Sequence, residues 1–136
     1  MNIGQIRWPN DLKMASLLYL RFILQLIQQL NIQFLDSKPD PVSTAKGYIN
    51  GDVNENEYLS AADVWWNHLE KSGSIDHAQD EDAIKARLAI FLLSAKFDSE
   101  DDLGEHLSWF FELLEELGIN LTEAINMMRQ FFDFDV

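Results

Sequence analysis

Residues 99–118 read SEDDLGEHLSWFFELLEELG, and this stretch decides the fold class. Its large apolar residues recur at intervals of three and four, which is the period of one face of an α-helix. Ser99 with Asp102 is a helix-start signal, and Gly118 is typical of the residue just beyond a helix end. The stretch therefore predicts an amphipathic helix that ends at Leu117. Its predicted core face consists of Leu103, Leu107, Phe110, Phe111, Leu114 and Leu117.

Helices of the same kind are predicted on both sides of this stretch, and strands are not. Asn54 with Glu57 and Asn120 with Glu123 are capping pairs, and Asn10 is the predicted cap of the first helix. No alternation of apolar and polar residues extends over a useful length. The predicted helices are residues 10–30, 43–49, 54–73, 80–96, 99–117 and a last one from 120 onward. The sequence thus predicts an all-α single domain over residues 1–136, built as a bundle of five to six helices.

Composition limits the function classes. The 136 residues are 47% hydrophobic and contain no cysteine, so we expect a globular core and no disulfide, thiolate zinc site, iron–sulfur cluster or cysteine nucleophile. The apolar run 14–24 is interrupted by Arg21 and is shorter than the roughly 20 residues that span a bilayer. No cleavage site follows it. The sequence favours a cytoplasmic protein without a membrane segment.

Negative charge is concentrated near the C-terminus. The whole chain has a net charge of −13, and residues 98–136 carry 11 acids and one base, a net of −10. Nucleic acid and anionic membranes are disfavoured partners because both require basic contacts. A basic protein would be attracted and steered. The same acidity could also serve only to keep the protein soluble.

The segment Asp52–Asp63 is the strongest candidate for a metal site. It places oxygen ligands at the spacing of a calcium loop, but Glu57 stands where that loop needs glycine and Asp63 where it needs the longer glutamate. The alternative is a helix cap formed by Asn54 and Glu57. We predict the cap, and therefore no metal ligand.

Catalytic groups and cofactors are not predicted. His68, His77 and His106 form no pair at helical spacing, and no serine-nucleophile or zinc-hydrolase motif occurs. The acidic clusters 80–82 and 100–102 fall in first turns of predicted helices, where carboxylates complement the helix dipole.

A partner-binding strip is predicted on the helix 99–117. At about 100° per residue, one acidic strip lies far from the apolar face and includes a tryptophan. An exposed indole ringed by charge is typical of an interface anchor, although Trp109 could instead pack on a neighbouring helix. Trp65 and Trp66 both fall on the core face of their helix. The aromatic tail from Phe131 is expected to pack against the body, although it could instead be an exposed binding peptide. The predicted partner-binding residues are Asp102, Glu105, Trp109, Glu112 and Glu116.

Three segments resemble small bacterial immunity proteins of contact-dependent growth inhibition and related polymorphic toxin systems. They are residues 46–52 (KGYINGD), 58–66 (YLSAADVWW) and 86–94 (ARLAIFLLS). The resemblance implies a cytosolic, non-enzymatic protein that binds a cognate toxin domain, often a nuclease with a basic cleft. It assigns no contact residue.

Two other readings stay open. The chain could be an acidic helical interaction protein, such as a chaperone or a self-associating subunit. It could also be a carboxylate- or metal-dependent enzyme, which would need acids in a shielded cleft.

Overall fold

Six α-helices account for most of the described chain. The computed structural model describes residues 6, 8–34, 40–71 and 81–132. The helices are α1 (Leu12–Gln29), α2 (Pro41–Asn50), α3 (Glu55–Lys71), α4 (Glu81–Leu92), α5 (Glu100–Glu116) and α6 (Leu121–Phe131). The predicted all-α fold of five to six helices is therefore confirmed. Among the described helices, none is both long and apolar enough to cross a membrane.

The chain divides into two compact units. The terminal unit combines residues 1–29 with 95–136, and the central unit is residues 30–94. In the terminal unit α1, α5 and α6 each pack against the other two, and in the central unit α2, α3 and α4 do the same. Each unit thus contains three of the described helices, packed against one another. That the whole chain forms one domain stays a prediction.

An aromatic cluster stabilises the terminal unit. The ring of Phe22 on α1 is fully buried and lies 4.9 Å from that of Phe132 and 6.3 Å from that of Phe111 on α5. Trp8 packs edge-on against Phe132 at 5.0 Å. Such edge contacts add about 0.5–1.5 kcal/mol each beyond area burial. The predicted packing of the tail is confirmed for Phe131 and Phe132, and residues 133–136 lie outside the described part.

Tyr58 links the three helices of the central unit. Its ring, on α3, stacks on Tyr48 of α2 at 4.0 Å with an angle of 6° between the planes. Its hydroxyl donates a 2.6 Å hydrogen bond to the carbonyl oxygen of Leu92, the last residue of α4. The hydroxyl is therefore satisfied although the side chain is buried.

Several helix starts differ from those predicted. α1 is capped by Asp11, not by Asn10, because the Asp11 carboxylate accepts the N–H of Lys13 at 2.9 Å. α2 begins earlier than predicted, at Pro41, because Asp40 caps it and proline is tolerated at the first helical position. The predicted starts at Ser99 and Asn120 are confirmed by the bonds that their side chains accept from backbone N–H groups.

The helix ends agree with the sequence only in part. α4 ends at Leu92, before the predicted Lys96. The predicted stop of α5 is confirmed: Gly118 has φ of 87°, and the N–H of Ile119 reaches back to the carbonyl oxygen of Leu114 at 3.1 Å. This is the Schellman arrangement, which favours glycine at the left-handed position. The predicted signals Gly73 and Asp80 lie outside the described residues.

One of the two adjacent tryptophans is not in the core. Trp65 is only 1% exposed, as predicted, and its ring centroid lies 6.0 Å from that of Phe34. Trp66 is 42% exposed, so its predicted core position is wrong. Consecutive helical residues point about 100° apart, and the core direction of α3 is set by Tyr58, Trp65 and Leu69.

Candidate partner-binding face of α5

The five predicted partner-binding residues share the solvent side of α5. The opposite side is the core face, on which Leu103, Leu107 and Phe110 are fully buried. Spacings of three and four residues keep the predicted set on one line along the helix. Of its members, Glu105, Trp109, Glu112 and Glu116 are exposed and Asp102 is half-buried. The α5 strip is the name used below for Asp102, Glu105, Trp109, Glu112 and Glu116.

Trp109 is partly covered and partly open. The side chain is 45% exposed. Its ring lies 5.1 Å from that of His106, one turn earlier on the same helix, with the planes at 57°. The prediction that Trp109 lies on a solvent-facing strip is thus correct. A large part of the indole stays available to a partner.

His106 lies between the Trp109 indole and the core. Its ring lies 4.9 Å from that of Phe97, which is nearly buried and in turn contacts Tyr19 of α1 at 5.0 Å. The Nδ1 atom of His106 is 2.8 Å from the backbone carbonyl oxygen of Asp102. A carbonyl oxygen can only accept, so Nδ1 carries the hydrogen and donates it. The histidine ring is therefore positioned by a ring contact and by a hydrogen bond, and the Trp109 indole packs against it.

The carboxylates of the α5 strip are not neutralised by basic side chains of the described chain. Within residues 6, 8–34, 40–71 and 81–132, none of the four acids forms an ion pair. Glu81 of α4, in contrast, pairs with Lys85 at 3.3 Å. Glu105 and Glu112 lie one heptad apart, which is about 10 Å along a helix, with the indole between them. This arrangement suits a surface that presents two or more cations around an apolar or guanidinium group.

The helix cap that was predicted as the alternative to a calcium loop is present at the start of α3. The N–H of Glu57 donates to the side-chain oxygen of Asn54 at 2.8 Å, and the amide nitrogen of Asn54 donates to the Glu57 carboxylate at 2.8 Å. Both side-chain oxygens are thus engaged by N–H donors at the start of α3, and Asp63 lies inside that helix. Among the described residues, no three histidine or acidic side chains come close enough together to hold a metal ion.

Two features of the surface were missed from sequence. The first is the support of Trp109 by His106, for which the spacing of three residues on one helix was the available signal. The second is the exposure of Trp66, described above. His68 contacts Trp65 at 6.1 Å between ring centroids, and His77 lies outside the described residues.

Comparison of the chain with protein-family models, with curated proteins and with solved structures finds no match.

Proposed function

We propose that this protein is an immunity protein that binds and neutralises a basic toxin domain through the α5 strip. The observation that supports this best is Trp109, a large aromatic side chain that is 45% exposed among exposed carboxylates that form no ion pair with the described residues. Tryptophan is among the residues that most often dominate the binding energy of protein interfaces. Its exposure is costly in an isolated protein, and a partner would remove that cost.

The charge of the chain determines which partners fit. Residues 98–136 have a net charge of −10, so a phosphate backbone, an anionic membrane or a second copy of the same strip would be repelled. A protein surface rich in lysine and arginine would be attracted. Charge complementarity of this kind raises the association rate, and close packing lowers the dissociation rate.

A toxin domain is the basic partner that the sequence resemblance favours. Residues 46–52, 58–66 and 86–94 resemble immunity proteins, and the toxins of those systems include nucleases with basic substrate clefts. In the proposed mechanism, Glu105, Glu112 and Glu116 pair with basic side chains in or beside such a cleft, and Trp109 fills an apolar recess. Nucleic acid would then be excluded by both steric overlap and charge. The absence of cysteine is compatible with action in the cytoplasm.

The test is an affinity capture from the native cell with three forms of the protein. The first is the wild type. The second, the α5 triple variant, carries Glu105→Lys, Glu112→Lys and Glu116→Lys. The third, the control triple variant, has three exposed acids outside the α5 strip replaced by lysine. Bound proteins are identified by mass spectrometry, and their stoichiometry is measured after purification of the complex.

The control triple variant carries Asp52→Lys, Asp98→Lys and Glu123→Lys. All three positions are exposed and lie outside the α5 strip. Both triple variants change the net charge by the same amount, from −13 to −7. We expect the wild type and the control triple variant to capture one basic protein at equal stoichiometry, and the α5 triple variant to lose it. Recovery of the protein only with itself, or equal capture by all three forms, would contradict the proposal.

A further inference from the structure

A second half-exposed tryptophan lies on α3 in the central unit. Trp66 is 42% exposed, and no aromatic ring of the described residues packs against it. Asp63 lies one turn before it and Glu70 one turn after it on the same side of the helix. Both acids are exposed, and neither forms an ion pair within the described ranges. The α3 face is the name used below for Asp63, Trp66 and Glu70.

The α3 face repeats the chemistry of the α5 strip. Asp63 and Glu70 are one heptad apart with a tryptophan between them, as Glu105 and Glu112 are on α5. In each case the backbone positions of the flanking acids are about 10 Å apart along the helix axis, given a rise of 1.5 Å per residue. The two helices belong to different compact units and have different core residues. The two helices therefore share the chemistry of their exposed residues, and this likeness does not follow from similar core packing.

We propose that the α3 face is a second docking surface, for a protein segment that carries two basic side chains about 10 Å apart. Carboxylates at both ends would pair with the two cations, and the indole between them would accept an apolar or guanidinium group. Burial of an indole that is 42% exposed would supply the apolar part of the binding energy.

Other occupants fit this surface less well. A nucleic acid or an anionic bilayer presents negative charge to Asp63 and Glu70, and a second copy of the chain brings a net charge of −13. A basic protein segment complements the face in both charge and apolarity. This second docking surface goes beyond the proposed function, because binding there needs no residue of α5 and does not depend on which protein the α5 strip binds. It would remain if the α5 strip bound nothing.

The experiment is a titration of the full-length, ¹⁵N-labelled protein followed by NMR. The probe is an alanine-based helical peptide with two arginines one heptad apart and a leucine between them. A second peptide of the same composition has its arginines adjacent. The indole N–H signal of Trp66 is assigned with Trp66→Phe, and the signal of the buried Trp65 serves as an internal reference.

Two double variants separate the α3 face from the α5 strip. Asp63→Lys with Glu70→Lys and Glu105→Lys with Glu112→Lys each change the net charge from −13 to −9. We expect saturable shifts at Trp66, Asp63 and Glu70 with the spaced peptide, at least tenfold weaker binding there in the α3 variant, and an unchanged response there in the α5 variant. The peptide with adjacent arginines should bind the face several-fold more weakly.

Three outcomes would overturn the proposal. They are the absence of a saturable shift at Trp66, a shift that survives reversal of Asp63 and Glu70, and equal binding of the two peptides. The responses of the α5 strip are read from Trp109 in the same spectra. Failure of one surface is therefore distinguished from failure of the other.

Discussion

Replacement of Trp109 by alanine tests whether the exposed indole is the anchor of the proposed interface. A tryptophan side chain presents up to about 250 Å², so the 45% that is exposed corresponds to about 110 Å². At about 25 cal/mol per Å², full coverage of this area by a partner contributes roughly 2.7 kcal/mol. Such a loss weakens binding about 100-fold in the dissociation constant, and loss of half the covered area weakens it about tenfold. We therefore expect a loss between these limits.

The assay is calorimetric or surface-based binding to the partner domain recovered by affinity capture. The effect should be mainly an increase in the dissociation rate, because packing sets that rate more than charge does. Met14→Ala is the matched control, since it removes a side chain that is 60% exposed on α1 of the same unit. Circular dichroism and thermal unfolding establish that both variants fold. A dissociation constant that changes less than about threefold in folded Trp109→Ala would refute the anchor role.

Three further predictions concern the strip, its support and the helix that carries it. At low salt, the α5 triple variant should associate with the partner at least tenfold more slowly than the control triple variant, and its association rate should depend less on salt, because steering depends on unscreened charge. Both rates are measured by stopped flow. Equal association rates would show that the strip is not part of the interface. His106→Ala should increase the mobility of the Trp109 indole, measured by ¹⁵N relaxation of its N–H, and weaken binding about two- to tenfold because the anchor is less ordered. His106→Phe, which keeps a ring in place, should restore much of that order, and equal mobility in the two variants would contradict the supporting role. Gly104→Ala should raise the free energy of unfolding, measured in urea, by about 0.5–1 kcal/mol, since an added Cβ at this helical position meets nothing within 4 Å. Gly118→Ala should lower it by about 1 kcal/mol, because φ is 87° there. A change of the same sign in the two variants would contradict the left-handed end of α5 at Gly118.

The helices could be predicted from the sequence because their signals are local. The apolar period of α5, its cap at Ser99 and its stop at Gly118 all act within a few residues, and all were found in the structure. The cap of α1 was misplaced by one residue because Asn10 and Asp11 are both good capping residues. Only the geometry shows that the Asp11 carboxylate accepts the bond.

Side-chain placement near the surface was harder to predict, because it depends on which face a neighbouring helix covers. Trp65 and Trp66 lie side by side in sequence, and each has helical spacing to an apolar residue. Packing of the central unit buried the first and left the second 42% exposed.

The exposure of the α5 strip could be predicted from the sequence, but the packing of His106 beneath Trp109 could not. Exposure follows from helical period alone, since the strip lies opposite a core face of large apolar residues. The contact of His106 with Phe97 depends on the path of the chain between α4 and α5, which no local pattern fixes. The division of the six helices into two units of three likewise depends on contacts between residues that are distant in sequence.

The most direct test of the central claim is carboxyl footprinting of the free protein and of its complex. Exposed carboxylates are coupled to an amine with a carbodiimide, and the label at each position is quantified by mass spectrometry. We predict that Glu105, Glu112 and Glu116 are labelled in the free protein and protected in the complex, whereas Asp52 is labelled equally in both. Equal labelling of the three glutamates in both states, with protection elsewhere, would contradict binding through the α5 strip.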